Sequence, residues 1–249
     1  MQFWYRRKLA LARALNLDIT HSQNHYAAFL APRVQEGNRW LEIGCGRWIF
    51  PDWAMPLDQQ REVARGSYLV GLDVDAAMLE HRLLDARVMG LGGQSPFREA
   101  TFDLATANMV VEHVDDCAGF LADISRILKP GGRFVFRTPN LSNYLVYIAS
   151  KTPEFLKDSI VWVLEQRKEE DRFLTHYRMN RVQDIRRHAA AAGLEVEELR
   201  VVGSVGSFGR LGPLGLIECF FLKAAQSFAG GRYRSNIICS LRKPSASAA

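Results

Sequence analysis

The sequence predicts a doubly wound α/β fold on a mostly parallel, seven-stranded sheet, and three observations predict it. Residues 39–43, Arg-Trp-Leu-Glu-Ile, read as a strand buried on both faces that runs into a glycine turn at Gly44 and Gly46. A second apolar strand, residues 68–73, follows about one βαβ unit later and ends on Asp73. Further strand-like runs alternate with helical stretches along the remainder of the chain. A glycine turn after the first strand and an acid closing the second is the layout with which such sheets hold an adenosine ribose.

Length and composition agree with one domain carrying decorations: 249 residues, 48% hydrophobic and 24% charged. The formal charge of +5 is spread without a compact Lys/Arg block, so it reads as a solvated basic surface rather than a nucleic-acid footprint. Cys45, Cys117, Cys219 and Cys239 are scattered and form no C-x-x-C pair. That spacing argues against zinc and suits the reduced thiols of a cytoplasmic protein. The aromatic-first start does not read as a secretory leader. No stretch reaches the roughly 18 continuous apolar residues of a membrane span. The nearest approach, residues 211–222, is interrupted by Gly212, Pro213, Gly215 and Glu218.

Residues 1–36 form an N-terminal helical cap in this reading. Phe3, Arg7, Leu11 and Leu15 would share one helix face, and a second helix covers residues 24–34 with a break near Pro32. Phe3, Trp4 and the Arg6-Arg7-Lys8 run suit peripheral contact with a membrane as well as an ordinary surface helix. Residues 37–140 form the core. After the first strand comes a long loop containing Trp48, Pro51, Trp53 and Pro56, and Trp48 or Trp53 is expected to pack on the N-terminal helices. Asp75 can cap a helix running from there to about Val88. Strand three and its loop occupy residues 87–97, strand four residues 101–108, a helix ends near Leu128, and a glycine turn leads into strand five at residues 129–140. Residues 141–180 are an insertion with a second apolar helix over residues 155–163 and a charge run at residues 167–172. A helix over residues 181–192 ends at Gly193. Strands six and seven cover residues 194–202 and 233–243, joined by a Gly/Phe/Leu-rich connection, and residues 244–249 are a small-residue tail.

The glycine turn excludes one cofactor class. A dinucleotide fingerprint needs a third glycine three residues after the second, and Ile49 stands there. Glu42-x-Gly44-x-Gly46 instead resembles motif I of the class I S-adenosylmethionine-dependent methyltransferases. So does Phe102-Asp-Leu-x-x-x-Asn108-x-Val-x-Glu112-His113-Val, followed by Leu128-Lys-Pro-Gly-Gly-Arg-Phe. The resemblance covers residues 38–140 well and the rest loosely. It implies a Rossmann-like class I methyltransferase fold, with S-adenosyl-L-methionine as cofactor and a small-molecule methyl acceptor.

What the resemblance implies falls residue by residue. Glu42, Gly44, Cys45 and Gly46 line the cofactor, and Asp73 accepts both ribose hydroxyls. Val74 and Asp75 flank the adenine, and Asn108 and Met109 contact the cofactor from the end of strand four. The N-terminal segment lies over the pocket, which makes His21, Gln23 and Tyr26 candidates for the methionine end, Tyr26 foremost. The insertion becomes a lid, its Tyr144, Tyr147, Phe155 and Trp162 favouring a hydrophobic or aromatic acceptor. Two departures stand out: Trp48 replaces a common third glycine, and Leu91 replaces an aspartate that holds the adenine amino group. Relatives that bind a metal near Glu112 carry an acid three residues earlier. Here it is Met109, so no metal is expected.

Catalytic candidates are His113, as base, substrate contact or helix cap, and the His176-Tyr177 pair, as base and substrate contact or as packing. Three functions compete. The first is methyl transfer to a small hydrophobic, aromatic, or glycan- or lipid-linked metabolite, at oxygen rather than nitrogen. The second is a nucleic-acid methyltransferase, against which Asn108-Met-Val-Val lacks the usual (Asn/Asp)-Pro-Pro-aromatic motif. The third is a binding module that keeps the fold without catalysis.

Overall fold

The computed structural model describes residues 2–152, 174–203, 213–229 and 231–245. Its centre is a seven-stranded sheet of order β3-β2-β1-β4-β5-β7-β6. The strands are β1 (Arg39–Ile43), β2 (Tyr68–Asp73), β3 (Ala86–Met89), β4 (Phe102–Asn108), β5 (Leu128–Pro139), β6 (Glu195–Val202) and β7 (Asn236–Arg242). The pairs β1–β2, β1–β4, β2–β3 and β4–β5 are parallel. β1 lies between β2 and β4, so the winding reverses beside it. This switch point opens a crevice at the carboxyl ends of the strands.

Apolar runs make these strands because both faces are covered. Leu41, Ile43, Leu72, Phe102, Ala105, Phe134 and Phe136 are all buried in one core. Trp40 is fully buried and its indole Nε1 donates to Thr106 Oγ1 at 2.5 Å, tying β1 to β4. Gly71 is dictated by close approach: a Cβ there would stand 2.5 Å from Leu84 Cδ1 and 2.7 Å from Cys45 Sγ. Asp103 accepts from Arg39 N–H at 2.9 Å and from Lys129 Nζ at 2.8 Å, which fixes the entry edge of the central strands.

The helices are α1 (Gln2–Ala14), α2 (Ser22–Leu30), α3 (Leu57–Ala64), α4 (Cys117–Ile127), α5 (Tyr144–Lys151), α6 (Val182–Ala191) and α7 (Leu214–Ala229). Asp116 caps α4 by accepting from Gly119 N–H at 2.9 Å, and Phe120, Leu121, Ile124 and Ile127 form its buried stripe. α6 ends where expected: Gly193 has φ +68°, and Leu194 N–H returns to Ala189 O at 2.9 Å.

The chain divides into two compact units. One holds the sheet: residues 23–139, 176–200 and 237–249. The other gathers residues 1–22, 140–175 and 201–236. In this second unit α1 and α7 pack on each other. Lys8 Nζ and Glu218 Oε2 pair at 2.8 Å with both side chains almost wholly buried, and Tyr144 Oη donates to Glu218 Oε1 at 2.8 Å. Asn140 Nδ2 donates to the carbonyls of Arg232 and Arg234 at 2.9 and 2.7 Å, and Asn143 Nδ2 to that of Tyr233 at 2.7 Å. These bonds tie the chain after β5 to the turn before β7.

Several expectations need correction. No helix runs to Val88. Asp75 does cap a turn, accepting from Ala77 N–H at 2.8 Å, but this is a 3-10 turn over Ala76–Glu80 and strand β3 starts at Ala86. Arg87 explains the early stop, since its guanidinium donates to the carbonyls of Met78, Leu84 and His81 and holds the segment folded back. The α1 face differs too: Phe3 and Arg7 point outward, and the buried residues are Lys8 and Ala12. The connection between β6 and β7 contains a 16-residue helix, α7. Of the expected lid over residues 141–180, the helix over residues 155–163 with Phe155 and Trp162 lies outside the described residues. So does the tail from residue 246.

Candidate functional site

The crevice at the switch point is built by four strand ends. β1 ends in Glu42 and Ile43, then turns sharply at Gly44 and Gly46, both with positive φ (+63° and +46°). The two glycines do different jobs. A Cβ on Gly44 would lie 2.4 Å from Val110 Cγ2, so this glycine lets the turn pack on the chain beyond β4. A Cβ on Gly46 would meet nothing within 4 Å, so this glycine leaves open space above the backbone.

Asp73 reaches across to that loop. Its Oδ2 accepts from Gly46 N–H at 2.8 Å and its Oδ1 from Asp75 N–H at 2.9 Å. The buried carboxylate thus ties the loop after β1 to the turn after β2. Arg47 adds a surface link, its Nε 3.0 Å from Glu80 Oε2. Cys45 is buried against Gly71, and burial, aided by Asp73 and Glu42, pushes its thiol up to about 12. At neutral pH it is a neutral filler of the turn.

Glu42 is the most unusual group of the crevice. Its side chain is fully enclosed and accepts from the Thr106 hydroxyl, and burial pushes its carboxyl up to about 8, with the Thr106 bond working against the shift. Tyr26, from α2, is buried beside it. Its phenol is held protonated by burial and by the nearby Glu42, and among the described residues its hydroxyl has no hydrogen-bond partner. A buried carboxyl and a buried hydroxyl so placed are each costly unless a partner meets them.

Exposed apolar side chains sit at the same end of the sheet. Val74 follows β2, Met89 closes β3, Leu91 follows it, and Met109 follows β4 with φ +62°. Leu91 stands where the resemblance calls for an aspartate and is 62% exposed. Asn108 closes β4, its Oδ1 accepting from Arg137 Nε at 2.8 Å, while Met109 N–H is held by Arg137 O at 2.9 Å.

Behind this rim lies a polar network that sequence reasoning missed. Glu112 is buried, its Oε2 accepts from Thr138 Oγ1 at 3.1 Å, and burial raises its carboxyl above the usual range. Asn180 Nδ2 donates to Thr138 Oγ1 at 2.7 Å and to Pro139 O at 3.0 Å, while its buried Oδ1 has no hydrogen-bond partner among the described residues. The available signal was Arg137 and Thr138 ending an apolar strand. Polar residues at the carboxyl end of a parallel strand face ligand in this architecture. Thr106 carried the same kind of signal on β4.

The three catalytic candidates gather around Glu112. His113 is its chain neighbour, and the backbone N–H groups of His176 and Tyr177 both donate to Glu112 O, at 2.8 and 3.1 Å. Tyr177 holds φ +53°, an unusual setting for a bulky residue. His176 Nδ1 lies 3.4 Å from Asp115 Oδ1, which also receives Arg178 Nε at 3.0 Å. His113 does not cap α4, since Asp116 does. Neither Trp48 nor Trp53 packs inside: they are 52% and 58% exposed. Phe50 takes the seat instead, fully buried with its ring 5.9 Å from that of Tyr26. Buried Gln60 fixes the loop by binding Phe50 N–H and O and Met55 O at 3.2, 2.7 and 2.8 Å.

A switch-point crevice with a glycine turn, an acid behind it and no dinucleotide glycine defines a nucleoside-holding site of the methyltransferase type. A family model described as "Methyltransferase domain" matches residues 11–199. The chain belongs to that family and is of the class I S-adenosylmethionine-dependent type. It is similar to a ubiquinone biosynthesis O-methyltransferase of Hahella chejuensis, 32% identical over 117 residues, 42% of this chain and 44% of that one. It is also similar to a malonyl (acyl-carrier protein) O-methyltransferase of Erwinia billingiae, 31% identical over 109 residues, 42% of this chain and 40% of that one. The matches thus span less than half the length of these curated relatives. Its fold is shared by the crystal structure of an S-adenosylmethionine dependent methyltransferase from Mesorhizobium loti, with a TM-score of 0.55 at 20% identity over 88% of this chain and 95% of that one. Among the described residues no helix is long and apolar enough to cross a membrane.

Proposed function

We propose that this protein transfers the methyl group of S-adenosylmethionine to a small hydrophobic, aromatic, or glycan- or lipid-linked metabolite, at oxygen rather than nitrogen. One observation carries the cofactor half: the fully buried Glu42 beside a Tyr26 hydroxyl without a hydrogen-bond partner among the described residues, at the foot of a glycine turn whose Gly46 faces open space. The acceptor half is supported by the named O-methyltransferase relatives, one of them in ubiquinone biosynthesis.

Bound S-adenosylmethionine supplies a methyl already activated on a sulfonium. The protein's own residues then have three tasks. Asp73 holds the ribose with the carboxylate edge that its two backbone donors leave open. Glu42 and Tyr26 hold the amino-acid end, the first by charge and the second as a donor. Val74, Met89, Leu91 and Met109 cover the adenine in place of the missing aspartate. With the cofactor fixed, a hydroxyl acceptor needs alignment and a base. His176, steered by Asp115, is the base candidate, with His113 second and Tyr177 as an acceptor contact.

Isothermal titration with S-adenosylhomocysteine tests the cofactor half: micromolar binding is expected, and no heat at millimolar ligand would sink it. Transfer from radiolabelled S-adenosylmethionine to phenolic or quinol acceptors, with transfer RNA as the competing substrate, tests the acceptor half. Labelling of RNA alone would reverse it.

Proton linkage at Glu42 gives a further prediction. A carboxyl raised in the folded state binds more protons folded than unfolded between its ordinary value near 4.5 and about 8. The stability of the cofactor-free protein is therefore greatest below that window and falls as pH rises through it. Glu42→Gln removes the slope and should be the more stable form above pH 8 in thermal denaturation. A Glu42→Gln protein with the same pH slope as the original would disprove the assignment.

A further inference from the structure

The second unit carries a helix whose polarity is inverted. α7 buries Glu218 and Cys219 and turns Leu214, Ile217, Phe220 and Phe221 outward, with Ile217 63% and Phe220 58% exposed. These four fall within about a third of the helix circumference at 100° per residue, so they form one outer stripe. A soluble helix normally does the reverse, and a clustered apolar stripe in water marks an interaction surface.

The packed neighbour α1 supplies the charge. Its sequence has no acidic residue, while Arg6, Arg7 and Arg13 are exposed, and Phe3 and Tyr5 stand out among them. Arg7 lies over the Phe3 ring, 4.6 Å from its centroid. The one acid of α7, Glu218, is withdrawn into the Lys8 pair, so the outward charge of the helix pair is cationic. Between them the two helices expose aromatic and aliphatic groups and arginines, with no outward acid on either, a combination complementary to a negatively charged lipid surface. The rings enter the headgroup region and the guanidinium groups bind lipid phosphates.

We infer that the α1–α7 pair is a docking surface for an anionic lipid bilayer. The docking is peripheral, and it is independent of methyl transfer because it uses none of the crevice residues.

Vesicle co-sedimentation tests it with the full chain. Vesicles of phosphatidylcholine with about one-third phosphatidylglycerol should pellet the protein at low salt, and phosphatidylcholine alone should not. Arg6→Gln with Arg7→Gln should weaken binding by about tenfold or more, given roughly 1 kcal/mol per basic residue at such a surface. Ile217→Ser with Phe220→Ser should abolish pelleting, with circular dichroism and thermal unfolding unchanged because both positions are exposed. Protein that stays in the supernatant with anionic vesicles overturns the inference. So does equal binding to neutral vesicles. A dimer seen by sedimentation velocity and dispersed by the two serine substitutions, without vesicle binding, would assign the stripe to a second copy of the chain instead.

Discussion

Asp73→Ala is expected to weaken S-adenosylhomocysteine binding at least tenfold and to loosen the loop that receives it. Two separate losses combine. The ribose hydroxyls lose a charged acceptor, and each such bond contributes about 1.5–3 kcal/mol. Gly46 N–H and Asp75 N–H, now 2.8 and 2.9 Å from the carboxylate, lose their partner as well. The glycine turn then loses its side-chain tie to β2 and keeps only the backbone bond from Gly44 N–H to Leu72 O at 2.8 Å and the packing of Cys45 on Gly71. Asp73→Asn separates the two effects, since the amide keeps one acceptor oxygen for a backbone donor but no charge. Titration calorimetry should rank the original above Asn and Asn above Ala. Unchanged affinity in the alanine variant would remove Asp73 from the ribose role.

The second large effect falls in the other unit. Glu218→Ala takes its carboxylate partner from the buried Lys8 ammonium and its acceptor from Tyr144. Breaking a buried pair in this way costs about 3–5 kcal/mol. Replacing both partners, Lys8→Met with Glu218→Leu, should recover most of that loss, because apolar groups of similar size need no desolvation. Urea denaturation of the two single variants and the double variant measures the coupling. A double variant as unstable as the sum of the singles would mean that the pair contributes through something other than mutual neutralisation.

Much of the sheet was legible because its physics is local. Strands covered on both faces must be apolar along their length, and their polar ends, Glu42, Asp73 and Asn108, fall where the ligand crevice opens. The cap at Asp75 and the stop at Gly193 were legible for the same reason, whereas the cap of α4 was sought at His113 and is Asp116. What was illegible depends on partners distant in sequence. Glu218 counted only as an interruption of a membrane span, and Lys8, 210 positions away, makes it a core residue. Arg87 is the strand residue it was expected to be, but its three carbonyl contacts to the segment before β3 could not be read in advance. Trp48 or Trp53 was expected to pack on the N-terminal helices. The ring beside Tyr26 is that of Phe50, whose backbone the buried Gln60 holds in place. In the crevice, the residues with motif identities were nameable in advance. Thr106, Thr138 and Asn180 were not, because each matters only through the carboxyl or hydroxyl that the fold brings to it.

The Lys8–Glu218 pair also bears on biosynthesis. At roughly 5–20 residues per second, about 10–40 s separate the emergence of the two side chains from a ribosome. Through that interval α1 lacks the helix it packs against, and Lys8 lacks the Glu218 carboxylate. The sheet strands β1 to β5 are complete well before then. α1 therefore completes its packing long after it is made, and during synthesis it is an open hydrophobic and basic stretch of chain that a nascent-chain chaperone can hold.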